Sequence, residues 1–195
     1  MLDYTAIDFE TANSRRGSPC AVGLVRVRDG APVAERRWLM RPPEVLDYFE
    51  ARNVHIHGIT ADMVADKPRW REVLPDLVTF IGDDVVVAHN AAFDTGVIRY
   101  ACDVDNIEWP EIRFLCTLVV ARRVLSLSSY RLPSVLDALG LSIKHHHDAL
   151  DDARAVVDVV GGLAVCQGVD DLGGLSRSTG VRIGRMAGGF YQGSG

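Results

Sequence analysis

The chain has 195 residues, of which 48% are hydrophobic and 24% charged, and these proportions are typical of one globular domain with a sizeable core. Its formal net charge of −5 argues against a protein that holds duplex DNA through phosphate contacts alone. No apolar run approaches the ~20 residues of a membrane span, and no basic region of a signal peptide precedes the first strand. With four scattered cysteines and no C-x-x-C pair, we expect a reduced, cytoplasmic protein without membrane contact.

The first predicted strand, residues 1–10, carries two acids on one face. Side chains alternate across a strand, so Asp8 and Glu10 share one face while Ile7 and Phe9 share the other. Unpaired charges are rarely left partly buried, and a divalent cation held by hard oxygen ligands would compensate them. Taken alone, the same pattern also fits two acids at a frayed strand end.

The remaining elements predict an α/β fold. Further strands are expected at Ala21–Val27, Val33–Met40, Val85–Ala88 and Ile112–Cys116. Helices are expected to end at Val64 and to span Trp70–Ile81, Ala91–Cys102, Thr117–Val124, Leu132–Leu139 and Ala149–Val165, with a loop or short helical turn over Val54–Thr60. This order predicts a mixed five-stranded sheet covered by helices, in a domain of residues 1–167. Residues 168–195 are rich in Gly and Ser, which predicts a flexible tail or linker.

Two acids occupy inward positions on separate helices. Asp94 lies three and four residues before Val97 and Ile98, on the apolar face of its helix, where a charge is unexpected. Asp152 lies at the edge of the apolar stripe of the last helix, whereas Asp151 points away. A carboxylate on a core-facing stripe indicates a functional site.

The four inward acids, Asp8, Glu10, Asp94 and Asp152, form the donor set that two Mg²⁺ or Mn²⁺ ions need. Two such ions stabilise the attacking and leaving oxygens of a phosphoryl displacement. His147 lies five residues before Asp152, in the loop that leads into the same helix, and an imidazole suits the role of general base.

Three segments carry these residues and resemble the three motifs of one enzyme family. They are AIDFET at 6–11, HNAAFD at 89–94 and HDALDDA at 147–153, and the resemblance covers residues 2–166. In this order and spacing they resemble the DnaQ-like, or DEDDh, 3′–5′ exonucleases, especially the epsilon proofreading subunit of bacterial DNA polymerase III and its stand-alone relatives.

The resemblance implies an RNase H-like fold and release of nucleoside 5′-monophosphates from a 3′ end. It implies that Asp8 bridges two metal ions, that Glu10, Asp94 and Asp152 complete their coordination, and that His147 is the general base. It also places six residues around the terminal nucleotide: Thr11, Ala12, His57, Ile59, Asn90 and Phe93. Many relatives have an acid where this chain has Cys116, and nothing resembles the clamp-binding tail of the epsilon subunit.

Several alternatives stay open on the sequence alone. The leading substrate is a single-stranded or frayed DNA 3′ end, and the alternatives are RNA, as for RNase T or oligoribonuclease, or a non-catalytic nucleic-acid-binding module. The segment 168–195 can instead join a polymerase or another protein partner. The run His145–His147 also suggests a transition-metal site, but hard carboxylates and no thiolate cluster favour solvated loop residues at His145 and His146.

Overall fold

A computed structural model describes residues 1–143 and 146–195 of the chain. They form one mixed sheet of seven strands in the order β3-β2-β1-β4-β5-β6-β7. The strands are β1 (Tyr4–Thr11), β2 (Pro19–Arg28), β3 (Ala31–Leu39), β4 (Val85–Ala88), β5 (Ile112–Cys116), β6 (Gly184–Ala187) and β7 (Phe190–Gln192). The helices are α1 (Ala51–His57), α2 (Ala61–Val64), α3 (Trp70–Ile81), α4 (Ala91–Val104), α5 (Thr117–Val124), α6 (Leu132–Ala138), α7 (Ala149–Gln167) and α8 (Leu172–Thr179).

The direction of the strands changes at β1. This strand pairs antiparallel with β2 and parallel with β4, and β4 pairs parallel with β5. Helices cover both faces, which separates the core into two main clusters. Ile7 and Phe9 pack in the cluster with α3 and α4, whereas Tyr4 and Ala6 pack in the cluster with α7. The predicted alternation along β1 is therefore confirmed.

The α/β architecture and the five predicted strands are confirmed as β1–β5, but the sheet has two more strands. The helix α1 also replaces the predicted loop or short turn, and Gly58 ends it in a left-handed conformation. None of the helices in the described ranges is long and apolar enough to cross a membrane.

Residues 168–195 are ordered in place of the predicted flexible tail. Strand β6 pairs antiparallel with β5, where Met186 opposes Ile112, and β7 pairs with β6. Met186 and Leu175 are fully buried in the two main core clusters. At Gly184, an added Cβ would lie 2.6 Å from the Phe114 ring, so a glycine is needed there. Composition could not predict these strands, because such short strands depend on pairing with the edge of β5.

Candidate active site

A cavity of about 510 Å³ opens at the carboxyl end of β1, next to the start of α4 and α7. Three of the predicted acids line it, namely Asp8, Glu10 and Asp152, together with His147. One carboxylate oxygen from each of the three acids lies within 4.8 Å of the others. Among residues 1–143 and 146–195, no ion pair or hydrogen bond is formed by the side chains of Asp8 and Glu10. The cluster therefore concentrates negative charge that the neighbouring side chains leave uncompensated.

A glycine on the neighbouring strand allows α7 to approach the acids of β1. Gly23 of β2 is the register partner of Asp8. A Cβ atom on this glycine would lie 2.5 Å from the Cα atom of Leu150 and closer still to the carbonyl oxygen of Ala149. The first turn of α7 therefore rests directly on the backbone of β2, which brings Asp152 to the end of β1.

Ion pairs with β3 also fix the start of α7. Asp148 caps the helix by accepting hydrogen bonds from the N–H groups of Leu150 and Asp151, and it pairs with Arg37 of β3 at 2.8 Å. One turn later, Arg154 binds the Glu35 carboxylate of β3 through two nitrogen atoms. Such capping stabilises a helix end by ~1 kcal/mol, although exposed ion pairs contribute little each.

Asp94 lies behind the three clustered acids and does not line the cavity. Its side chain is only 2% exposed, and the N–H of Phe9 donates a hydrogen bond of 3.1 Å to its Oδ1. Burial raises the pKa of Asp94 to about 7, and the Phe9 hydrogen bond partly opposes that shift. Helix α4 therefore holds this carboxyl group against the backbone between Asp8 and Glu10.

Burial and mutual repulsion make these acids hard to ionise in the metal-free protein. Burial raises the pKa of Asp8 well above its usual value, and the carboxylates of Asp94, Asp152 and Glu10 raise it further. The pKa of Glu10 rises to about 8, first because of burial and then because of Asp152, Asp94 and Asp148. Clustered carboxylates with raised pKa values are typical of sites that bind a cation.

Two histidines meet Asp152 at the rim of the cavity. The N–H of His147, a residue with a left-handed φ of 73°, donates a 3.0 Å hydrogen bond to Asp152 Oδ2. His146 Nδ1 lies 2.9 Å from Asp152 Oδ1, and the two imidazole rings stack at 3.8 Å. The pKa of His147 is lowered, mainly by burial and then by His146, which keeps its imidazole neutral near pH 7.

His146 is exposed in the turn before α7, as predicted for a solvated loop residue, but its ring also contacts the Asp152 carboxylate, which was not predicted. The three-histidine run was the available signal, but spacing alone could not show which ring turns toward Asp152. His145 lies outside the described residues. His146, His147 and Asp152 also offer ligand atoms within 4.8 Å, so the predicted transition-metal alternative has a geometric counterpart.

A second cavity of about 320 Å³ shares Glu10 and Phe93 with the first. Thr11 and His57, both predicted around the terminal nucleotide, line it. The His57 ring is fixed on both sides: its Nε2–H donates to the Thr11 carbonyl at 3.1 Å, and its Nδ1 accepts from the Ile59 N–H at 3.0 Å. Burial lowers the pKa of His57 and favours this neutral ring.

Ala12 and Ile59 line neither cavity, although they were predicted to lie around the terminal nucleotide. Both side chains are buried in a small core cluster with Ala149. The N–H of Ala12 donates to the Ser18 carbonyl at 2.8 Å and closes a loop whose residues Asn13 and Ser14 line the second cavity. The resemblance to a family motif could not show which side chains of these segments point into a cavity and which into the core.

The start of α4 contributes the remaining predicted residues. Asn90 precedes the helix with a φ of 75°, and its side chain lines the first cavity instead of capping the helix. His89 is held by Thr117 Oγ1 at 2.9 Å and by the Tyr130 carbonyl at 2.8 Å. Asn90 and Phe93 thus face the same space as Asp8 and His147.

Comparisons with known proteins agree with this geometry. The family model described as "RNase_T: Exonuclease" matches residues 5–160. A protein of Mycobacterium tuberculosis provisionally named a bifunctional exonuclease/endonuclease is 38% identical over 168 residues, covering 80% of this chain and 26% of that protein. DNA polymerase III PolC-type of Thermotoga petrophila is 35% identical over 159 residues, covering 80% of this chain and 11% of the polymerase.

A solved structure shares the whole fold. Exonuclease X in complex with 5′ overhanging duplex DNA matches with a TM-score of 0.72 and 28% identity, covering 92% of this chain and 99% of that chain. This chain spans about a quarter and about a tenth of the two curated relatives. With the family model matched over most of its length, the chain belongs to the DnaQ-like, DEDDh exonuclease family and has an RNase H-like fold.

Proposed function

We propose that this protein is a metal-dependent 3′–5′ exonuclease that releases nucleoside 5′-monophosphates from single-stranded or frayed DNA ends. One observation carries the proposal: carboxylate oxygens of Asp8, Glu10 and Asp152 lie within 4.8 Å of each other, in a cavity that His147 also lines. Asp94 supports the cluster from behind through the backbone of Phe9.

The donor set fits two Mg²⁺ or Mn²⁺ ions. All ligand atoms from Asp8, Glu10, Asp94 and Asp152 are hard oxygens, which these ions prefer. Burial raises the pKa values of Asp8, Glu10 and Asp94, and neighbouring carboxylates raise those of Asp8 and Glu10 further; bound cations would favour the ionised forms. When bound, two such ions supply electrostatic stabilisation of the attacking and leaving oxygens of a phosphodiester.

The protein side chains have separate tasks in the proposed reaction. The neutral imidazole of His147 accepts the proton of the attacking water, and the low pKa of this ring keeps it ready as a base. The second cavity, at Thr11 and His57, receives the terminal nucleoside, with Phe93 at the boundary between the two cavities. Asn90 supports the substrate from the start of α4.

DNA is the proposed substrate because the PolC-type relatives are DNA polymerases and Exonuclease X was solved with a DNA duplex carrying an overhang. Proofreading or repair in the cytoplasm is the corresponding role, with a polymerase or another protein as a partner through the segment 168–195. RNA trimming is the alternative, and it depends on whether the second cavity accepts a 2′-hydroxyl group.

The test is product analysis on 5′-labelled single-stranded DNA and RNA of one sequence, with Mg²⁺, Mn²⁺ or EDTA. We expect a metal-dependent ladder that shortens from the 3′ end, with faster loss of DNA than of RNA. His147→Ala should slow cleavage by at least ~100-fold, because a positioned base contributes about 10²–10⁴-fold.

The matched control is His55→Ala, since His55 is exposed on α1 and lines neither cavity. This variant should cleave at the parental rate. Faster RNA degradation would favour the RNA alternative. No product with any metal, or equal rates for His147→Ala and the parent, would contradict the proposed chemistry.

A further inference from the structure

Two arginines contribute to the lining of the main cavity. Arg122 lies in the last turn of α5, and Arg131 immediately precedes α6. Both line the 510 Å³ cavity that Asp8, Glu10 and Asp152 also line, and neither lines the second cavity. The lining of this cavity therefore contains both acidic and basic side chains.

Neither guanidinium has a carboxylate partner within residues 1–143 and 146–195. This differs from the arginines that hold the fold together, such as Arg28 with Asp84 at 2.8 Å and Arg37 with Asp148 at 2.8 Å. An exposed arginine without a partner is common by itself. Two of them on the wall of an acid-lined cavity leave positive charge available to an anionic ligand.

The Arg122 guanidinium lies over a ring that the fold holds still. Its Cζ atom is 5.7 Å from the centre of the Tyr130 ring. The Tyr130 hydroxyl donates to the Leu125 carbonyl at 2.9 Å and accepts from the Leu127 N–H at 3.2 Å, and the Tyr130 carbonyl accepts from His89. A stacked guanidinium keeps its N–H edge available for oxygen atoms, which suits a phosphate.

The positions of the two cavities indicate which phosphates are involved. If the terminal nucleoside occupies the second cavity, at Thr11 and His57, the scissile phosphate lies close to Glu10, the acid that lines both cavities. The strand must then continue into the first cavity, past Arg122 and Arg131. We propose that these two arginines bind the backbone phosphates on the 5′ side of the scissile phosphate. This inference rests on the proposed function and assigns substrate-binding residues that the motifs do not contain.

The experiment uses the whole protein and two substrates that differ in upstream phosphates. One is a single-stranded DNA 12-mer, and the other is the p-nitrophenyl ester of thymidine 5′-monophosphate, which has no phosphate upstream of the reacting one. The variants are Arg122→Gln and Arg131→Gln, with Arg123→Gln as the matched control. Arg123 lies on the same helix and is exposed, but it lines neither cavity.

We expect each cavity variant to raise the KM for the 12-mer by about tenfold, since a hydrogen bond to a charged group has this effect on affinity. The slope of log KM against log salt should fall by about 0.7 for each arginine removed. The kcat on the 12-mer and the rate on the ester should not change, and Arg123→Gln should match the parent in all three measurements.

Unchanged KM values and salt slopes would overturn this inference while leaving the exonuclease activity intact. An equal loss on the ester would also overturn it, because the arginines would then act at the reacting phosphate. A parent protein that cleaves neither substrate would contradict the proposed function itself, and so the two failures are distinguishable. Arg122→Lys checks that the losses do not come from misfolding: it keeps the positive charge, so the salt slope should stay at the parental value while part of the affinity for the 12-mer is lost.

Discussion

The two faces of β1 differ in character: one packs in the apolar core, and the other carries the clustered acids. On the face toward α3 and α4, Ile7 and Phe9 are almost fully buried among apolar side chains. On the face toward α7, the strand changes from core positions to Asp8 and Glu10 within two residues. Because both faces belong to one strand, the packing of Ile7 and Phe9 in the core also fixes the positions of the Asp8 and Glu10 carboxylates.

The two faces also differ in the sign of their contribution to stability. Burying a side chain such as Phe9 stabilises the fold by about 1.5–3 kcal/mol. Burying Asp8 and Glu10 side by side costs free energy, as their raised pKa values show. The cluster of acids therefore lowers metal-free stability, a cost that fits its proposed role as a cation site.

The largest effect is expected from Asp8→Asn. Loss of this carboxylate should lower kcat on the order of a thousandfold, about 4 kcal/mol, because Asp8 is the acid at the centre of the cluster. In EDTA the same variant should melt at a higher temperature than the parent, since the uncharged amide avoids the cost of ionising Asp8 beside the other carboxylates. Cleavage assays and thermal melts measure the two changes independently.

The control for this comparison is Ile7→Val on the opposite face. It should lower the free energy of unfolding by ~1 kcal/mol and leave kcat close to the parental value. An Asp8→Asn variant that cleaves DNA at the parental rate, or that melts below the parent in EDTA, would contradict the claim that one face of β1 serves activity and the other stability.

A smaller effect is expected from Gly23→Ala. The added methyl group would overlap the backbone at Ala149 and Leu150, so the first turn of α7 must move away from β2. A displacement of Asp152 by ~1 Å can cost about a hundredfold in rate. Assays at saturating substrate should show this loss in kcat.

The matched control is Gly161→Ala, also in α7, where an added Cβ meets no atom within 4 Å. This change should stabilise the helix by about 0.5–1 kcal/mol and keep activity. Equal activity of Gly23→Ala and the parent would show that the close contact of α7 with β2 is not needed to place Asp152.

The last expected effect is the pH dependence of metal-free stability. Glu10 has a pKa of about 8 in the folded protein against 4.5 as the ordinary value, and Asp94 has about 7 against 3.8. The folded state thus binds more protons than the unfolded state across this window. Stability in EDTA should therefore fall as pH rises from about 4 to 8.

Denaturant melts at several pH values, with EDTA or Mg²⁺, measure this dependence. Saturating Mg²⁺ should flatten the curve, because the ion favours the ionised acids in the folded state. Asp8→Asn should also give a shallower slope. Stability in EDTA that increases steadily from pH 5 to 8 would contradict the clustered burial of these acids.

The sequence predicted the parts of the site that depend on periodicity and on motifs. Alternation along β1 and the helical stripes around Asp94 and Asp152 depend only on local geometry, and the structure confirms where these side chains point. The roles assigned to them stay predictions. Arg122 could not be found in this way, because its position results from the packing of α5 beside Tyr130.

Other features depend on contacts between distant segments. The contact of His146 with Asp152 could not be predicted, because it is fixed by the turn into α7, where His147 takes a left-handed conformation. The importance of Gly23 depends on a helix more than a hundred residues away. The ordered segment after residue 167 follows from the available edge of β5, which no local pattern reveals.

That last segment also changes the outer boundary of the sheet. Strand β5 is largely buried and apolar, and without β6 its backbone N–H and C=O groups would form an open edge. Such an edge is a template for pairing with other chains and for aggregation. With the segment in place, the sheet ends instead in β7, a strand of three residues whose ends are exposed. A chain cut after residue 167 would keep every predicted catalytic residue, but it would expose the unpaired edge of β5 to pairing with other chains.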